Sequence, residues 1–365
     1  MSQALSRFHR AVGCIVSAAL FAAPLIWVPA TAQPARADQA AQLSGAESTV
    51  GGTGPLANEL NADTEHRIQR GLEWLAHHQQ PDGSWPDAID NVAITALAGI
   101  AFLAQGSTPG EGPYGSNVQK ALECILRNCQ PSGLIASQAY GSPMYGHGFA
   151  TLFLAECYGE APRDEVKEKL QNAVRLLVQT QNREGGWRYQ PAPNDADISV
   201  TICEVMALRA ARNAGIKVPK ITIDRAIAYV KRLQQADGGF AYQAGQSGSA
   251  FPRSAAGVAL LYYAGVYSGK EITNGLRYLL QRLPGQNNMN EQYHYYYGIY
   301  YATQATFMAG GEAWAKFWPA VRRDVERRQQ DDGSWPQIEA GQSYATAMSL
   351  IVLQIPNRLL PVLQR

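Results

Sequence analysis

The sequence predicts an all-α fold in which six helical hairpins form two concentric rings. Three observations predict it. A short word recurs along the chain: Gln79 to Trp85 reads QQPDGSW and Gln329 to Trp335 reads QQDDGSW, with looser versions in QNREGGW (Gln181 to Trp187) and QQADGGF (Gln234 to Phe240). The segments before these words align on Trp74, Cys124, Leu176, Tyr229, Tyr278 and Asp324, at intervals of 50, 52, 53, 49 and 46 residues, which makes six units. Between successive turns lie two kinds of helical text, one apolar nearly all round and one amphipathic and charged. A helix apolar on every side is buried, and an amphipathic one covers it.

Taken in order, unit one runs from an amphipathic helix ending RGLEWLAHHQ through Gln79, Gly83 and Trp85 into the apolar NVAITALAGIAFLAQG. Unit two has Cys129 in place of the Gln, then Gly133 and YGHGFATLFLAECYG. Unit three begins with DEVKEKLQNAVRLLVQTQ, where Val166, Leu170, Val174, Leu177 and Val178 recur near helical spacing; after Gly185 its inner helix opens on NDADISVT. Unit four passes from Tyr229 through Gln234 and Gly238 to SAAGVALLYYAG. Unit five keeps its helix and Gln281, replaces the turn by LPGQNNMNEQ, and continues into EQYHYYYGIYYATQATF. Unit six carries Asp324, Gln329 and Gly333 into YATAMSLIVLQI. The repeated residues read as staples: Gln bonds backbone groups left open at a helix end, Gly permits the turn, and Trp packs over the junction.

With 17% charged residues and a formal net charge of +1, the chain offers no electrostatic case for nucleic acid or an anionic membrane surface. Arg7, His9 and Arg10 precede an apolar run from Ala11 to Ala23, and Ala30-Thr31-Ala32 supplies small residues for cleavage, so residues 1–32 read as a secretory signal peptide. Export to a periplasmic or extracellular compartment follows as an expectation, with no integral membrane span after cleavage. Residues 33–62 lack periodicity and read as a flexible lead-in to a single toroidal domain over residues 63–365. Cys124, Cys129, Cys157 and Cys203 show neither metal spacing nor a dense disulfide framework and read as small buried apolar residues.

Arg70-Gly71, Trp74-Leu75, Gln79, Gly83, Ser84 and Trp85 match in full the glutamine-tryptophan repeat of squalene-hopene and oxidosqualene cyclases. From about Asp63 onward the chain resembles the prenyltransferase and squalene-cyclase repeat superfamily, and the resemblance implies an α6/α6 toroid, a terpene-cyclase type of activity and an apolar or isoprenoid small-molecule ligand. In such a ring the inner helices start at one mouth, where helix N-termini favour anions.

Asn194 to Thr201 resembles the acidic motif of class II terpene cyclases, Asp-any-Asp-Asp-Thr: Asp195, Asp197 and Ser199 fall on its first Asp, central Asp and Thr, while Ile198 replaces the last Asp. The resemblance gives Asp197 the role of proton donor to an alkene. Asp195 would raise its proton affinity by like-charge repulsion, with His147 or His294 as hydrogen-bond partner. The plainer reading makes Asp195 and Asp197 a cap and a first-turn acid. Tyr293, Tyr297 and Tyr300 share one helix face and His294 and Tyr301 the next, an aromatic wall suited to a carbocation or simply an aromatic core. Tyr145, Arg253 and Tyr344 complete the substrate-binding set at the mouth.

No cofactor or metal is expected. The Asp-any-Cys pair of zinc prenyltransferases is missing from the corresponding helix, AFPRSAAG, and no Asp-Asp-any-any-Asp motif occurs. Two other functions fit the same toroid: an exported glycosidase or polysaccharide lyase, expected to show an open groove with charges and flat aromatics, and a non-catalytic exported scaffold, expected to have mouth residues bonded only to one another.

Overall fold

The computed structural model describes residues 59–85, 87, 91–137, 141–285 and 294–364. The signal-peptide reading of residues 1–32 and most of the lead-in lie outside the described residues. Twelve α-helices alternate among them. The outer ones are α1 (Ala62–His78), α3 (Gly115–Arg127), α5 (Asp164–Thr180), α7 (Lys220–Leu233), α9 (Lys270–Leu280) and α11 (Gly311–Arg328). The inner ones are α2 (Asn91–Ala104), α4 (Met144–Glu160), α6 (Ile198–Asn213), α8 (Phe251–Tyr263), α10 (Tyr295–Ala309) and α12 (Gln342–Gln354). Each inner helix packs on the next and α12 packs on α2, so the inner ring closes; the outer helices lie on the inner helix before them, with α1 on α12, except α7, which is shared between α6 and α8. This is the α6/α6 toroid.

The two helix types divide as their sequences require. Every residue of α2 from Val92 to Ala104 is buried, whereas α5 buries one stripe through Val166, Leu170, Val174 and Leu177. The turn words are staples in single-residue register. Gln79 Nε2 donates to Gly83 O (3.1 Å) and to Asn117 O on the next outer helix (3.0 Å). Gln181 does the same to Gly185 and Thr222, and Gln234 to Gly238 and Glu271. Gln329 joins the last unit to the first by bonding Gly333 O (2.8 Å) and Arg67 O (2.9 Å).

The indoles act on their own hairpin. Trp85, Trp187 and Trp335 Nε1 donate to Leu75 O, Leu177 O and Val325 O at 2.8, 2.8 and 2.7 Å, satisfying a last-turn carbonyl of the outer helix that has no helical partner left. The turn glycine has two reasons to be glycine. Gly83 has φ +87°, and a Cβ there would lie 2.1 Å from Lys120 O of the neighbouring unit.

Two further contacts fix the ends. Asp87, after the first turn, accepts from Tyr344 N (3.0 Å) at the start of α12. Glu59 receives Trp314 and Trp318 indole N–H groups at 2.8 and 3.0 Å, and Asn61 caps α1, so the residues just before the first helix are fixed to α11. After α12, two 3₁₀ turns (Ile355–Asn357 and Pro361–Leu363) carry the tail past the finishing ends of α2, α4 and α6, where Asn357 bonds Ala104 O and Arg209 bonds Gln364 O. No helix among the described residues is long and apolar enough to cross a membrane, and none of their His, Cys, Asp and Glu side chains form a metal-binding group. Cys124, Cys129, Cys157 and Cys203 are free thiols.

Candidate active site

The starting ends of the inner helices gather at one rim, as the repeat order requires. Two adjoining cavities of about 240 Å³ each open there and share Tyr145, His294 and Tyr297 as walls. One is polar, with Tyr189, Ser199, Tyr242 and Arg253; the other has Ile94, Leu97, Phe149, Tyr344 and Met348 with a single carboxylate, Glu339. Below the rim the axis of the ring is filled. Tyr297 donates to Ser199 O (3.3 Å), the Tyr301 hydroxyl meets Cys203 Sγ (3.1 Å), and Tyr300 reaches Met206 Sδ (3.9 Å), with their rings edge-on at 4.8 Å. The tyrosine run therefore splits: Tyr297 faces the chamber, and Tyr300 and Tyr301 are core. Tyr293 lies outside the described residues.

Asp197 is fully buried and caps α6: its Oδ1 accepts from Ser199 N (2.8 Å) and Val200 N (3.0 Å). Its Oδ2 makes no hydrogen bond within 3.5 Å and faces Arg188 Nε at 3.7 Å, with the Tyr242 hydroxyl beside it. Burial pushes this carboxyl up from its ordinary value, against the cap bonds and Arg188, which pull it down. Asp195 is turned outward, 57% exposed, and is bonded to Arg188 Nη1 at 2.6 Å. Arg188 thus stands between the two acids, and burial, not repulsion from Asp195, lifts Asp197.

His147 is fully buried and lines neither cavity. Its Nδ1 accepts from Ile135 N (3.1 Å), the bond that Thr95, Thr201, Ser254 and Thr346 hydroxyls make to Trp85, Trp187, Phe240 and Trp335 N in other units. It is the second unit's version of a repeated staple, and burial drives its pKa down to about 4. His294 does face the chamber. It caps α10 in the left-handed region (φ 59°), and its 70%-exposed ring meets Glu339 Oε2 at 3.3 Å, which holds the imidazole above its usual value. Arg253 is spent on backbone, donating to Phe240 O and Gly248 O at 3.0 Å.

The sequence reading missed Arg188, Tyr189, Tyr242 and Glu339, all on the segments between a turn and the next inner helix. Register could have found two of them: Tyr189 and Tyr242 each stand two residues past the turn aromatic, Trp187 and Phe240, and their hydroxyls bond each other. Glu339 carries no such mark, and its Oε1 is buried without a partner. Elsewhere, Glu204 of α6 is fully buried with both oxygens unbonded, and burial raises its pKa well above the ordinary carboxyl value.

Comparison with known proteins agrees with this architecture. The prenyltransferase alpha-alpha toroid domain matches residues 56–294. Drimenyl diphosphate synthase of Streptomyces showdoensis is 26% identical over 181 residues, covering 48% of this chain and 32% of the relative. That of Streptantibioticus cattleyicolor is 26% identical over 180 residues, with the same coverage of 48% and 32%. This chain thus matches about a third of the length of those relatives. Among solved structures, a variant of the type II terpene cyclase MstE from Scytonema, in complex with merosterolic acid A, superposes with a TM-score of 0.59 at 16% identity, covering 81% of this chain and 97% of that one. An α-1,6-mannanase from Salegentibacter, with α-1,6-mannotriose, gives 0.60 at 10% identity over 81% and 99%. At these identities the structural likeness is one of fold.

Proposed function

The chain belongs to the prenyltransferase alpha-alpha toroid domain family, and from that premise we propose that the rim chamber binds the hydrocarbon chain of an isoprenoid and that Asp197 supplies the proton that starts its cyclisation. The observation carrying this reading is an apolar-walled chamber lined by Tyr145 and Tyr297, with the Asp197 carboxyl, which itself lines neither cavity, buried within electrostatic reach of both hydroxyls. The Tyr145 and Tyr297 hydroxyls, on the wall shared by both cavities, and the Tyr242 hydroxyl, on the polar one, lie within electrostatic reach of Asp197. A solved relative holds geranylgeranyl dihydroxybenzoate as substrate, which fits the same class of ligand.

The chemistry balances over these residues and solvent. Asp197 Oδ2–H passes its proton to the Tyr242 hydroxyl beside it, whose own O–H bond breaks at the cavity wall as the alkene π pair becomes a new C–H bond, and the cation forms on the more substituted carbon. The ring faces of Tyr145, Phe149, Tyr297 and Tyr344 then offer negative charge to that cation. Loss of a neighbouring proton to Glu339 Oε1 restores an alkene, the exposed His294 passes that proton to solvent, and a proton returned from solvent restores the Asp197 acid for the next turnover.

The mannanase likeness supports a carbohydrate reading less well, because glycoside hydrolysis needs two carboxyl groups facing one cleft. Among the described residues only Glu339 lines the rim cavities.

Asp197→Asn separates the acid from the cap, since Asn caps helices about as well as Asp. The variant is expected to keep its melting temperature within about 2 °C, to retain bound isoprenoid by mass spectrometry, and to lose cyclised product by roughly a thousandfold or more. Undiminished product would remove Asp197 from the mechanism; an absence of any co-purifying or added isoprenoid would remove the chamber's role. Export belongs to the same proposal: residues 1–32 act as a cleaved signal. N-terminal sequencing of protein secreted by an expressing cell is expected to start near residue 33, and a retained Met1 would refute cleavage.

A further inference from the structure

At the opposite end of the ring from the rim, we propose a second ligand site, for an amphiphilic anion: a carboxylate carried on an alkyl chain. A cavity of about 530 Å³, larger than either rim chamber, lies where α6 and α8 finish and α7 begins. Leu208, Val218, Ile223, Ile227 and Val266 form its apolar walls, beside Arg209, Arg212, Lys220 and Asp224. Such a volume lies within the usual ligand-cavity range of roughly 300–1,000 Å³.

Among the described residues the charges around it do not cancel. Lys220 Nζ bonds both oxygens of Asp224 (2.6 and 2.7 Å), so that pair is neutral and two guanidiniums remain, Arg209 and Arg212. Arg209 is only 9% exposed, yet its bonds go to neutral acceptors: Nη1 to Tyr263 O (3.4 Å) and the Tyr267 hydroxyl (3.3 Å), and Nη2 to Gln364 O (3.2 Å). Its Nε has no hydrogen-bond partner, and no carboxylate among the described residues pairs with it. A cation this buried is costly unless an anion faces it.

Independently, α7 opens on the same cavity without a side-chain cap: Pro219 stands at its N-cap and takes only the Thr222 N–H, on its own carbonyl at 3.1 Å, so the positive helix end is open to a ligand. Two separate features therefore select negative charge at one spot, and the aliphatic wall selects an alkyl tail beside it. Nothing in this site depends on the isoprenoid reading of the rim.

The test is calorimetric titration of the full chain with octanoate, acetate and octylamine. Octanoate is expected to bind, acetate to bind at least about tenfold more weakly for want of a tail, and octylamine not at all. Arg212→Gln, an exposed change with no bond to lose, is expected to weaken octanoate by roughly three- to tenfold, and Ile223→Trp, which fills the cavity, to abolish it. Equal binding of acetate and octanoate, binding of octylamine, no octanoate binding, or octanoate binding indifferent to both substitutions would each overturn the assignment. The last outcome would place octanoate elsewhere, such as the rim chamber.

Discussion

Trp335→Ala is expected to destabilise the fold by about 4–6 kcal/mol. Removing a fully buried indole costs about 3–5 kcal/mol in lost burial and cavity formation, and Trp335 has no exposed surface. The change also orphans Val325 O, which receives the indole N–H at 2.7 Å and has no helical donor left, adding about 1 kcal/mol. In a domain of this size the sum corresponds to a fall in melting temperature of about 8–12 °C. Position makes the loss worse than its area: Trp335 belongs to the unit whose Gln329 and Gly333 meet Arg67 and Arg70 of the first outer helix, the seam where the ring closes. Trp335→Phe, the residue type that unit four uses at Phe240, is expected to recover most of the packing and none of the hydrogen bond. Thermal denaturation of both variants reads the difference, and an alanine variant melting within 3 °C of the parent would show that the indole is no staple.

Glu156→Gln is expected to flatten the fall of stability between pH 6.5 and about 8. Glu156 of α4 is buried where the tail passes, and burial raises its pKa from 4.5 to about 8 despite the Val362 backbone N–H, which favours the charged form. Between those values the native state keeps a proton that the unfolded chain has released, so stability decreases as pH rises, by about 1.4 kcal/mol per pH unit and about 4–5 kcal/mol in all. His147 acts with the opposite sign: lowered from 6.5 to about 4, it stays neutral in the fold while the unfolded imidazole takes up a proton, so its contribution is lost as pH falls across that window. The two slopes oppose each other between pH 4.5 and 6.5, which leaves Glu156 unopposed by His147 from 6.5 to 8. Glu204, raised in the same direction by burial, keeps its own share in the variant. Urea unfolding at several pH values over that interval should show the slope reduced by about 1.4 kcal/mol per unit in Glu156→Gln; an unchanged slope would mean that Glu156 is already ionised in the fold.

Much of this molecule is determined by the sequence alone. The interval of about fifty residues, the turn glycines and the alternation of all-apolar with one-faced helices fix six hairpins in order, because burial on every side and burial on one side are different demands that each leave their own pattern in the text. The register is so regular that Trp74, Cys124, Leu176, Tyr229 and Tyr278 all stand in equivalent places, and the bonds of Gln79, Gln181, Gln234 and Gln329 repeat accordingly.

What only the tertiary structure decided is which polar groups have bonds to spare. Asp195 and Asp197 are two residues apart and chemically alike, yet one is solvated and bonded to Arg188 and the other is buried with one oxygen facing the same guanidinium at 3.7 Å. His147 sits between glycines like a site residue and proves to be a backbone acceptor, while Glu339, which nothing in the sequence marks, reaches His294 of the adjoining unit. A repeat is written in local periodicity, which sequence displays directly. A pocket is made of residues tens to hundreds of positions apart, and their charge, burial and spare valence exist only once the ring has closed around them.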